Sequence, residues 1–362
     1  MKESYYIGVM SGTSMDGVDV ALCRIDAGQC RLEAFLEYPF DAGLKRELLA
    51  MIAGSTTLAE TGRADHRLGA LFADAVNALL EREKVAPEAV AATGLHGQTL
   101  WHAPSGDAPF SMQLGDPNLV AFRTKIATVA DFRRADMARG GQGAPFAPAF
   151  HAFAFGALKR RCAVVNIGGI ANITLFDGET TGYDTGPGNM LLDGWSATHR
   201  GLPYDRDGAW ARSGRVHGAL LTALLEEPYF REAPPKSTGR EHFNPAWLAA
   251  KLAAFPAVSP EDVQATLTEL TAQTIADEVK ESAPELLLLC GGGAKNGYLR
   301  ERLAALLEGT EVAKTDDYGV SGDAMEAMAF AWLAYKRMHN EAVALRSVTG
   351  AKEDGVLGGI YG

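Results

Sequence analysis

The sequence has few cysteines and no long apolar run, and each absence removes a class of protein. Its four cysteines form no C-x-x-C pair and no Cys/His cluster with zinc spacing, so we interpret them as small core residues. No segment approaches the roughly 18 uninterrupted apolar residues of a membrane span. The N-terminus lacks the apolar stretch of a signal peptide, and a cytoplasmic protein is therefore expected.

Positive charge is also scarce, which argues against nucleic acid as a partner. The net charge is -11, from 45 acidic and 34 basic residues. A chain with an acidic balance does not attract nucleic acid through its overall field. Basic residues cluster only in short runs such as Arg133-Arg134, which are usually solvated surface. An anionic small substrate would need such a local patch.

Several catalytic signatures are missing as well. The sequence contains no G-x-x-x-x-G-K-[ST] loop, no G-x-G-x-x-G after a strand and no G-x-S-x-G elbow. His96 and His102 do not have the i, i+4 spacing of a helical zinc pair. "DTG" at Asp184 is similar to the aspartic proteases, but these need two carboxylates that share a proton, and one copy occurs here.

Apolar strands that end in glycine-rich turns are abundant, and they occur in two matching halves. "VMSGTSMDGVDVAL" corresponds to "VNIGGIANITLF", and "ATGLHGQT" corresponds more loosely to "LCGGGAKN". With 362 residues, the chain is long enough for two domains. We expect two α/β domains that face one cleft, with ligand-binding turns at the strand ends. The predicted domains span 1–144 and 145–344, and a tail of about 345–362 folds back on the first.

Helices are predicted between these strands. A long helix begins at "SPED", where Ser259 suits the cap and Pro260 the first helical position. Further helices are expected over Met190–Thr198, Trp210–Leu225 and Asp323–Met338.

The stretch "YDTGPGN" contains one acid that no ordinary helix or strand explains. Asp184 lies between an apolar strand and a Gly-Pro-Gly turn. One interpretation is a turn aspartate that bonds its own backbone. The other is a carboxylate held rigidly at a strand end, facing a cleft.

Segments along nearly the whole chain resemble the anhydro-N-acetylmuramic acid kinases, within the sugar kinase–actin–chaperone ATPase superfamily. They are "GVMSGTSMDGVD", "HGQTLWH", "DFRRADMARGGQGAP", "NIGGIANIT", "GYDTGPGNMLLD", "PKSTGREHFN", "CGGGAKN" and "SGDAMEAMAFAWLA". The resemblance implies a two-lobed actin-like ATPase (ribonuclease H-like) fold with a duplicated domain and a central nucleotide cleft. It also implies a homodimer, with no nucleic-acid or membrane partner.

The resemblance implies a specific reaction. ATP, Mg²⁺ and a water act on 1,6-anhydro-N-acetylmuramic acid, whose 1,6 bridge opens while O6 receives the γ-phosphoryl group. The products are N-acetylmuramic acid 6-phosphate and ADP, in the recycling of cell-wall fragments. Asp184 takes the place of the catalytic aspartate, which removes the proton of the attacking water. Glu326 is expected to help hold the water or the sugar, unless it is simply an exposed helical glutamate.

The resemblance also places the ligands. The ATP phosphates fall on Gly12, Thr13, Ser14, Met15, Asp16, Gly17, Val18 and Asp19. The second turn and the adenosine loop supply Gly168, Gly169, Asn172, Gly291, Gly292, Gly293 and Asn296. The expected sugar contacts are His96, Gln98, Asp116, Arg133 and Asn189. Arg133 would pair with the lactyl carboxylate, or else form a surface salt bridge. The metal ligands stay open, since Mg²⁺ is often held by phosphates and waters.

Two other functions remain open at this stage. One is a kinase of another acetamido sugar or hexose. The other is an ATP-gated binding protein like actin or the chaperones, although no segment is left over for a peptide-binding domain.

Overall fold

The first part of the chain and its C-terminal residues form a six-stranded sheet with helices around it. The computed structural model describes residues 4–12, 15, 17–176 and 178–362. The sheet strands are β1 (Ser4–Met10), β2 (Gly17–Ile25), β3 (Cys30–Pro39), β4 (Val90–Leu95), β7 (Thr128–Ala130) and β13 (Gly359–Tyr361). A separate hairpin consists of β5 (Gln98–Ala103) and β6 (Phe110–Leu114). The helices are α1 (Ala42–Ala53), α2 (Leu58–Glu83), α3 (Pro117–Thr124), α4 (Phe132–Met137), α5 (Ala147–Phe155), α12 (Met325–Met338) and α13 (Arg346–Thr349).

The residues between α5 and α12 form a five-stranded sheet with its own helices. Its strands are β8 (Cys162–Ile167), β9 (Ile170–Leu175), β10 (Thr181–Pro187), β11 (Leu286–Cys290) and β12 (Glu311–Lys314). Its helices are α6 (Met190–Arg200), α7 (Ala209–Ser213), α8 (Gly218–Leu225), α9 (Pro245–Leu252), α10 (Pro260–Ser282) and α11 (Gly297–Leu306). The strand β11, "LLLLC", is buried along its whole length, as expected of a central strand in a parallel ladder.

The two sheets repeat one topology. The first has the order β13-β7-β4-β1-β2-β3, and the second has β10-β9-β8-β11-β12. In each, three antiparallel strands follow one another along the chain, and a parallel strand is added beside the first of them. A long helix, α2 or α10, precedes that parallel strand. This repetition confirms the predicted α/β, ribonuclease H-like fold with a duplicated domain.

The chain divides into two compact units whose limits differ from the predicted ones. The first unit comprises residues 1–157 and 324–362, and the second comprises 158–323. The sequence prediction placed the boundaries at 144 and 344. The difference arises because α5 and α12 both belong to the first unit, where Phe150 packs against Trp332 at 5.9 Å between ring centroids. The last residues also return to this unit, where β13 pairs with β7.

Close backbone packing explains why α12 belongs to the first unit. The helix lies directly on β1 and β4. A Cβ atom at Gly8 would lie 1.7 Å from the Ala327 carbonyl oxygen, and one at Gly94 would lie 2.0 Å from that of Phe330. Only glycine permits this approach.

One predicted helix is interrupted. The expected helix over Trp210–Leu225 is divided between α7 and α8, with Gly214 at the break. A Cβ atom at Gly214 would lie 2.1 Å from the Glu261 carbonyl oxygen, so tertiary packing at the start of α10 decides this break. The predicted cap of α10 is present, since the Ser259 side chain accepts a hydrogen bond from the Asp262 N–H. Within the described residues, no helix is both long and apolar enough to cross a membrane.

Candidate active site

Asp184 lies in the middle of β10, beside a β-bulge, and not at a strand end as the sequence analysis expected. It is held by residues about 50 positions further along the chain. Its Oδ2 accepts hydrogen bonds from the Ser237 hydroxyl (2.9 Å) and the Thr238 N–H (3.0 Å). Its own N–H donates to the Lys236 carbonyl (3.2 Å), and its carbonyl accepts from the Tyr229 hydroxyl (2.8 Å). Asp184 is therefore a carboxylate fixed by tertiary contacts, not a turn aspartate that bonds its neighbours.

The surroundings of Asp184 make it a stronger base than an exposed aspartate. Burial raises the pKa of its carboxyl group, the hydrogen bonds from Thr238 and Ser237 partly oppose this, and the charge of Glu241 adds to the rise. Among the described residues, Oδ1 has no hydrogen-bond partner, whereas Oδ2 has two. Oδ1 is therefore the oxygen that can accept a proton.

The segment that binds Asp184 carries residues that the sequence analysis did not select. "PKSTGREHFN" supported the family resemblance, but no role was assigned to Lys236, Ser237 or Thr238. The sequence feature that could have indicated a role is a run without helical or strand periodicity that combines Pro, Ser, Thr and Gly with charged residues. Which acid it contacts is a matter of tertiary structure.

The turn between β8 and β9 contains Gly168 and Gly169 and is closed by the residues that follow β10. The Asn189 N–H donates to the Gly168 carbonyl (2.8 Å), and the Asn189 side-chain amide donates to the Ile167 carbonyl (3.0 Å). Asn172 lies opposite Asp184 in the β9–β10 ladder. The Gly168–Gly169 turn, Asn172 and the predicted base thus lie on neighbouring strands of one sheet.

A cavity of about 510 Å³ lies beside the glycine turn Gly291–Gly293, which follows β11. Its wall includes Asn189, Asp193, Tyr204, Asp207, Gly292 and Asn296. Asn189 was predicted as a sugar contact, and the structure places it in this wall with two predicted adenosine residues. The sequence analysis missed Asp193 and the loop 204–207, which the Asp207 side chain anchors by accepting from the Gly297 N–H (2.8 Å).

The backbone at this turn leaves space for a ligand. Gly291 has φ +75°, and a Cβ atom there would lie 2.3 Å from the Asn166 Oδ1. Gly293 also packs tightly, because its Cβ would lie 2.2 Å from a methyl carbon of Ile167. Gly292 is less crowded, since a Cβ atom there would meet only the Asn189 side-chain nitrogen, at an ordinary contact distance of 3.5 Å, and Gly292 lines the cavity. A nucleoside can therefore approach the backbone at Gly292.

The first unit brings two of the predicted residues, Arg133 and His96, into direct contact. Arg133 Nε and Nη2 donate to His96 Nε2 at 3.1 and 3.0 Å, and Nη1 donates to the Gly143 carbonyl (3.0 Å). Since arginine only donates, His96 must be neutral with its proton on Nδ1. Burial, and next the charge of Arg133, lower the pKa of His96 to about 3. The hydrogen bonds of Arg133 thus go to a neutral ring and a carbonyl, and its charge remains available to an anion.

Glu326 lies in the first turn of α12 and faces this cationic group. Its side chain reaches solvent, yet the surrounding protein raises the pKa of its carboxyl group, and the charge of Arg133 opposes the rise. In turn, burial lowers the pKa of Arg133 and the charge of Glu326 opposes this. Glu326 is thus an exposed residue of the helix that lies within electrostatic range of Arg133.

Gln98 and Asp116 use their polar atoms within the protein. The buried Ser11 hydroxyl donates to the Gln98 Oε1 (2.7 Å), which ties the first glycine turn to β5. Asp116 caps α3, where its Oδ1 accepts from the Asn118 N–H (2.9 Å). A cavity of about 270 Å³ lies nearby and is lined by His96, Gly97 and Gln113 among others.

The predicted phosphate loop is described only in part. Thr13, Ser14 and Asp16 lie outside the described residues. Met15 is buried with φ +51°, and its N–H donates to the Gly12 carbonyl (3.2 Å). Gly17, Val18 and Asp19 begin β2, and Asp19 pairs with Met10. Val18 is a core residue, so it can offer a ligand only its backbone.

No metal centre is apparent in the part of the chain that the structure describes. No group of three or more His, Cys, Asp or Glu side chains there could hold a metal ion.

Comparison with known proteins gives a full-length match. The family model described as anhydro-N-acetylmuramic acid kinase matches residues 4–362. A protein of that name from a Sulfurovum species is 57% identical over 362 residues, covering 100% of both chains. Another from Sulfurimonas denitrificans is 50% identical and covers 99% of both.

Solved structures that are similar to this chain share little sequence with it. The activator of a 2-hydroxyisocaproyl-CoA dehydratase from Clostridium difficile, with bound ADPNP, is 12% identical with a TM-score of 0.42, covering 92% of this chain and 97% of its own. A ROK family glucokinase from Streptomyces griseus, in complex with glucose and AMPPNP, is 14% identical with a TM-score of 0.38, covering 91% and 98%.

Proposed function

The chain belongs to the anhydro-N-acetylmuramic acid kinase family, and we propose that it uses ATP and water to convert 1,6-anhydro-N-acetylmuramic acid into N-acetylmuramic acid 6-phosphate and ADP. The observation that carries this proposal is the match to curated relatives of that name along the entire chain. The geometry of Asp184 supports it, because a half-buried carboxylate with one unbonded oxygen suits a general base.

In the proposed reaction, Asp184 Oδ1 accepts a proton from the water molecule whose oxygen attacks C1 of the sugar. The C1–O6 bond breaks, and O6 leaves with the bonding electron pair. O6 then bonds to the γ-phosphorus of ATP, and ADP departs. The proton remains on Asp184 until it is released to solvent. Because the substrate has both a 1,6-anhydro bridge and a lactyl carboxylate, the protein must supply a base and an anion contact.

Arg133 is the proposed contact for the lactyl carboxylate. Its position is fixed by His96 and Gly143, so little side-chain entropy is lost when the anion binds. Glu326, which interacts electrostatically with this charge, would accept hydrogen bonds from a sugar hydroxyl or from the water.

ATP fits the arrangement of the glycine turns. The 510 Å³ cavity at Gly292 and Asn296 is large enough for a nucleoside. Gly168 and Gly169 form the turn after β8, the strand that pairs with β11. Mg²⁺ would neutralise phosphate charge during transfer. Since the described residues contain no group of three or more His, Cys, Asp or Glu side chains that could hold a metal ion, we expect phosphates and waters to form most of its coordination shell. The family resemblance also carries our proposals of a homodimer and of a cytoplasmic enzyme that recycles cell-wall fragments.

The test is a coupled ADP-release assay with the anhydro sugar and with plain N-acetylmuramic acid. We expect turnover only with the anhydro sugar, and product with one oxygen from ¹⁸O-labelled water. A kinase of ordinary sugars would phosphorylate the plain sugar without this label. ATP hydrolysis that no sugar stimulates would indicate the ATP-gated binding protein instead.

Asp184→Asn should lower kcat by about 10²- to 10⁴-fold, because the amide cannot accept the proton of the water. ATP affinity, measured by calorimetry, should be unchanged. The matched control is Asp277→Asn, an exposed aspartate in the same unit, which should leave kcat unaltered. Near-normal turnover by Asp184→Asn would rule out the proposed base.

A further inference from the structure

The orientation of Asp184 depends on a segment that has no regular structure of its own. Residues 232–239 form neither helix nor strand. Nevertheless, this segment supplies the Lys236 carbonyl that accepts from the Asp184 N–H, and the Ser237 and Thr238 groups that donate to Oδ2. Something other than a backbone ladder must therefore hold these residues in place.

The side chain of Lys236 provides that anchor. Lys236 is buried, and its Nζ donates to the Glu278 Oε1 at 2.7 Å. Glu278 also accepts from the Tyr183 hydroxyl through Oε2 (3.0 Å). The ammonium group lies 5.3 Å from the centroid of the Tyr229 ring, and the Tyr229 hydroxyl in turn donates to the Asp184 carbonyl. Lysine, glutamate and two tyrosines thus form one closed network around Asp184.

The rigid end of this network is helix α10. Glu278 lies in α10, whose apolar side chains form part of the core of the second unit. Contacts lead from α10 through Glu278 and Lys236 to the backbone at 236–238, and from there to the carboxylate.

Stability alone does not account for such a pair. Removing two charges from water costs several kcal/mol, and apolar replacements of buried ion pairs are often neutral or stabilising. An ion pair also fixes the position of the side chain, since the ammonium group must lie close to the carboxylate. Because Ser237 and Thr238 follow Lys236 directly, fixing Lys236 also fixes the two groups that donate hydrogen bonds to Asp184.

We propose that Lys236, through its ion pair with Glu278, is a positioning residue that fixes the orientation of the Asp184 carboxylate. The inference rests on the proposed function in that Asp184 is taken as the base, but the geometric relation can be tested without turnover.

Loss of the anchor should have two effects on catalysis. The carboxylate would rotate away from its productive orientation, so kcat falls while substrate binding is maintained. The hydrogen bonds from Thr238 and Ser237, which lower the pKa of Asp184, would also weaken, so this pKa rises further. The base would then become protonated at a higher pH. The other titratable groups facing Asp184 are Glu241 and Tyr229, and both are retained in the variants below.

The experiment compares Lys236→Met and Glu278→Gln with a matched control, Arg302→Met. Arg302 also forms an ion pair with a buried α10 glutamate, Glu269 (2.6 Å), but is not among the hydrogen-bond partners of Asp184. We expect Lys236→Met to lower kcat about 10- to 100-fold, with KM for both substrates within about twofold of wild type. The acidic limb of the kcat profile should move up by about half a pH unit or more.

Glu278→Gln keeps the shape of the side chain and should produce smaller changes in the same direction. It also carries the test if Lys236→Met does not fold. Arg302→Met should leave kcat and the acidic limb unchanged, even if it lowers the melting temperature. Unchanged kcat and pH profile in folded Lys236→Met, or the same changes in Arg302→Met, would overturn the proposal.

Hydrogen exchange separates this inference from the proposed function. In wild type the Thr238 amide is bonded to Asp184 and should exchange slowly, and in Lys236→Met it should exchange faster. If wild type does not turn over the anhydro sugar but this loss of protection is seen, the function fails and the positioning holds. Equal Thr238 protection in both proteins contradicts the positioning, whatever the activity.

Discussion

Asp193 lies half-buried in the wall of the 510 Å³ cavity, close to a second carboxylate, Asp205. Burial, and next the charge of Asp205, raise the pKa of Asp193 to about 6. Its ordinary value is about 3.9. The folded state therefore binds the proton more tightly than the unfolded state between about pH 4 and 6. This contribution to stability is present below pH 4 and is lost as the pH rises through 6.

Asp193→Asn should remove this pH dependence. At pH 8 the variant should be more stable than wild type by about 1–2 kcal/mol, because no charge is buried. At pH 4 the two proteins should differ little, since the wild-type carboxyl is then mostly protonated. Urea denaturation at both pH values measures the difference, with Asp277→Asn as the exposed control. If the advantage of the variant is the same at pH 4 and pH 8, Asp193 does not titrate as described.

His96 differs from these acids because it does not titrate near neutral pH. With its pKa lowered to about 3, it remains a neutral acceptor for Arg133 throughout the range in which the enzyme can be assayed. An acidic limb in the rate profile is therefore assigned to a carboxylate, and the candidates are Asp184, Glu326 and Asp193, whose pKa values are all raised.

At the scale of an element, helix α12 depends on two glycines in the strands beneath it. Gly8→Ala would place a methyl group 1.7 Å from the Ala327 carbonyl oxygen and 2.6 Å from the Ala331 nitrogen. Both are backbone atoms, so the helix itself must move. Because Glu326 is next to Ala327 in the first turn of α12, the movement would reach the candidate site.

We expect Gly8→Ala to destabilise the protein by about 3 kcal/mol or more, as measured by urea denaturation. The matched control is Gly62→Ala in α2, where a Cβ atom meets nothing within 4 Å. There alanine should stabilise the helix by about 0.5–1 kcal/mol. Similar effects of the two substitutions would show that close packing of α12 is not the reason for glycine at position 8.

At the scale of the whole molecule, the chain leaves the first unit after residue 157 and returns to it at 324. The final residues then complete its sheet. β13 pairs with β7, and the Tyr361 hydroxyl donates to the Asp131 Oδ2 at 2.6 Å. Asp131, with φ +64°, is the residue before α4, the helix that carries Arg133. The C-terminus thus supports the proposed anion contact.

Truncation after Leu357 should weaken the first unit selectively. Without β13, β7 becomes an edge strand, and Asp131 loses its hydrogen bond from the Tyr361 hydroxyl. We expect faster hydrogen exchange in β7 but not in β11, and a several-fold rise in KM for the sugar. The control Tyr361→Phe removes only the hydroxyl group and should cost about 1 kcal/mol. Uniform exchange changes in both units would contradict this assignment.

The repeated fold was predictable from the sequence because its signals are local. Buried strands such as "LLLLC" and glycine turns such as Gly291–Gly293 can be recognised from neighbouring residues, and the same order occurs twice. The family motifs also selected Asp184, Arg133 and His96 as site residues.

The sequence by itself thus determined the main buried strands with their glycine turns, the duplication and the selection of Asp184. Only the tertiary structure decided where the units divide, that Lys236 anchors the segment bound to Asp184, and that Asp193 lies in the cavity beside Asp205. The physical reason is distance along the chain. Lys236 and Glu278 are separated by 42 positions, so their contact depends on how α10 packs, which no local pattern of residues encodes.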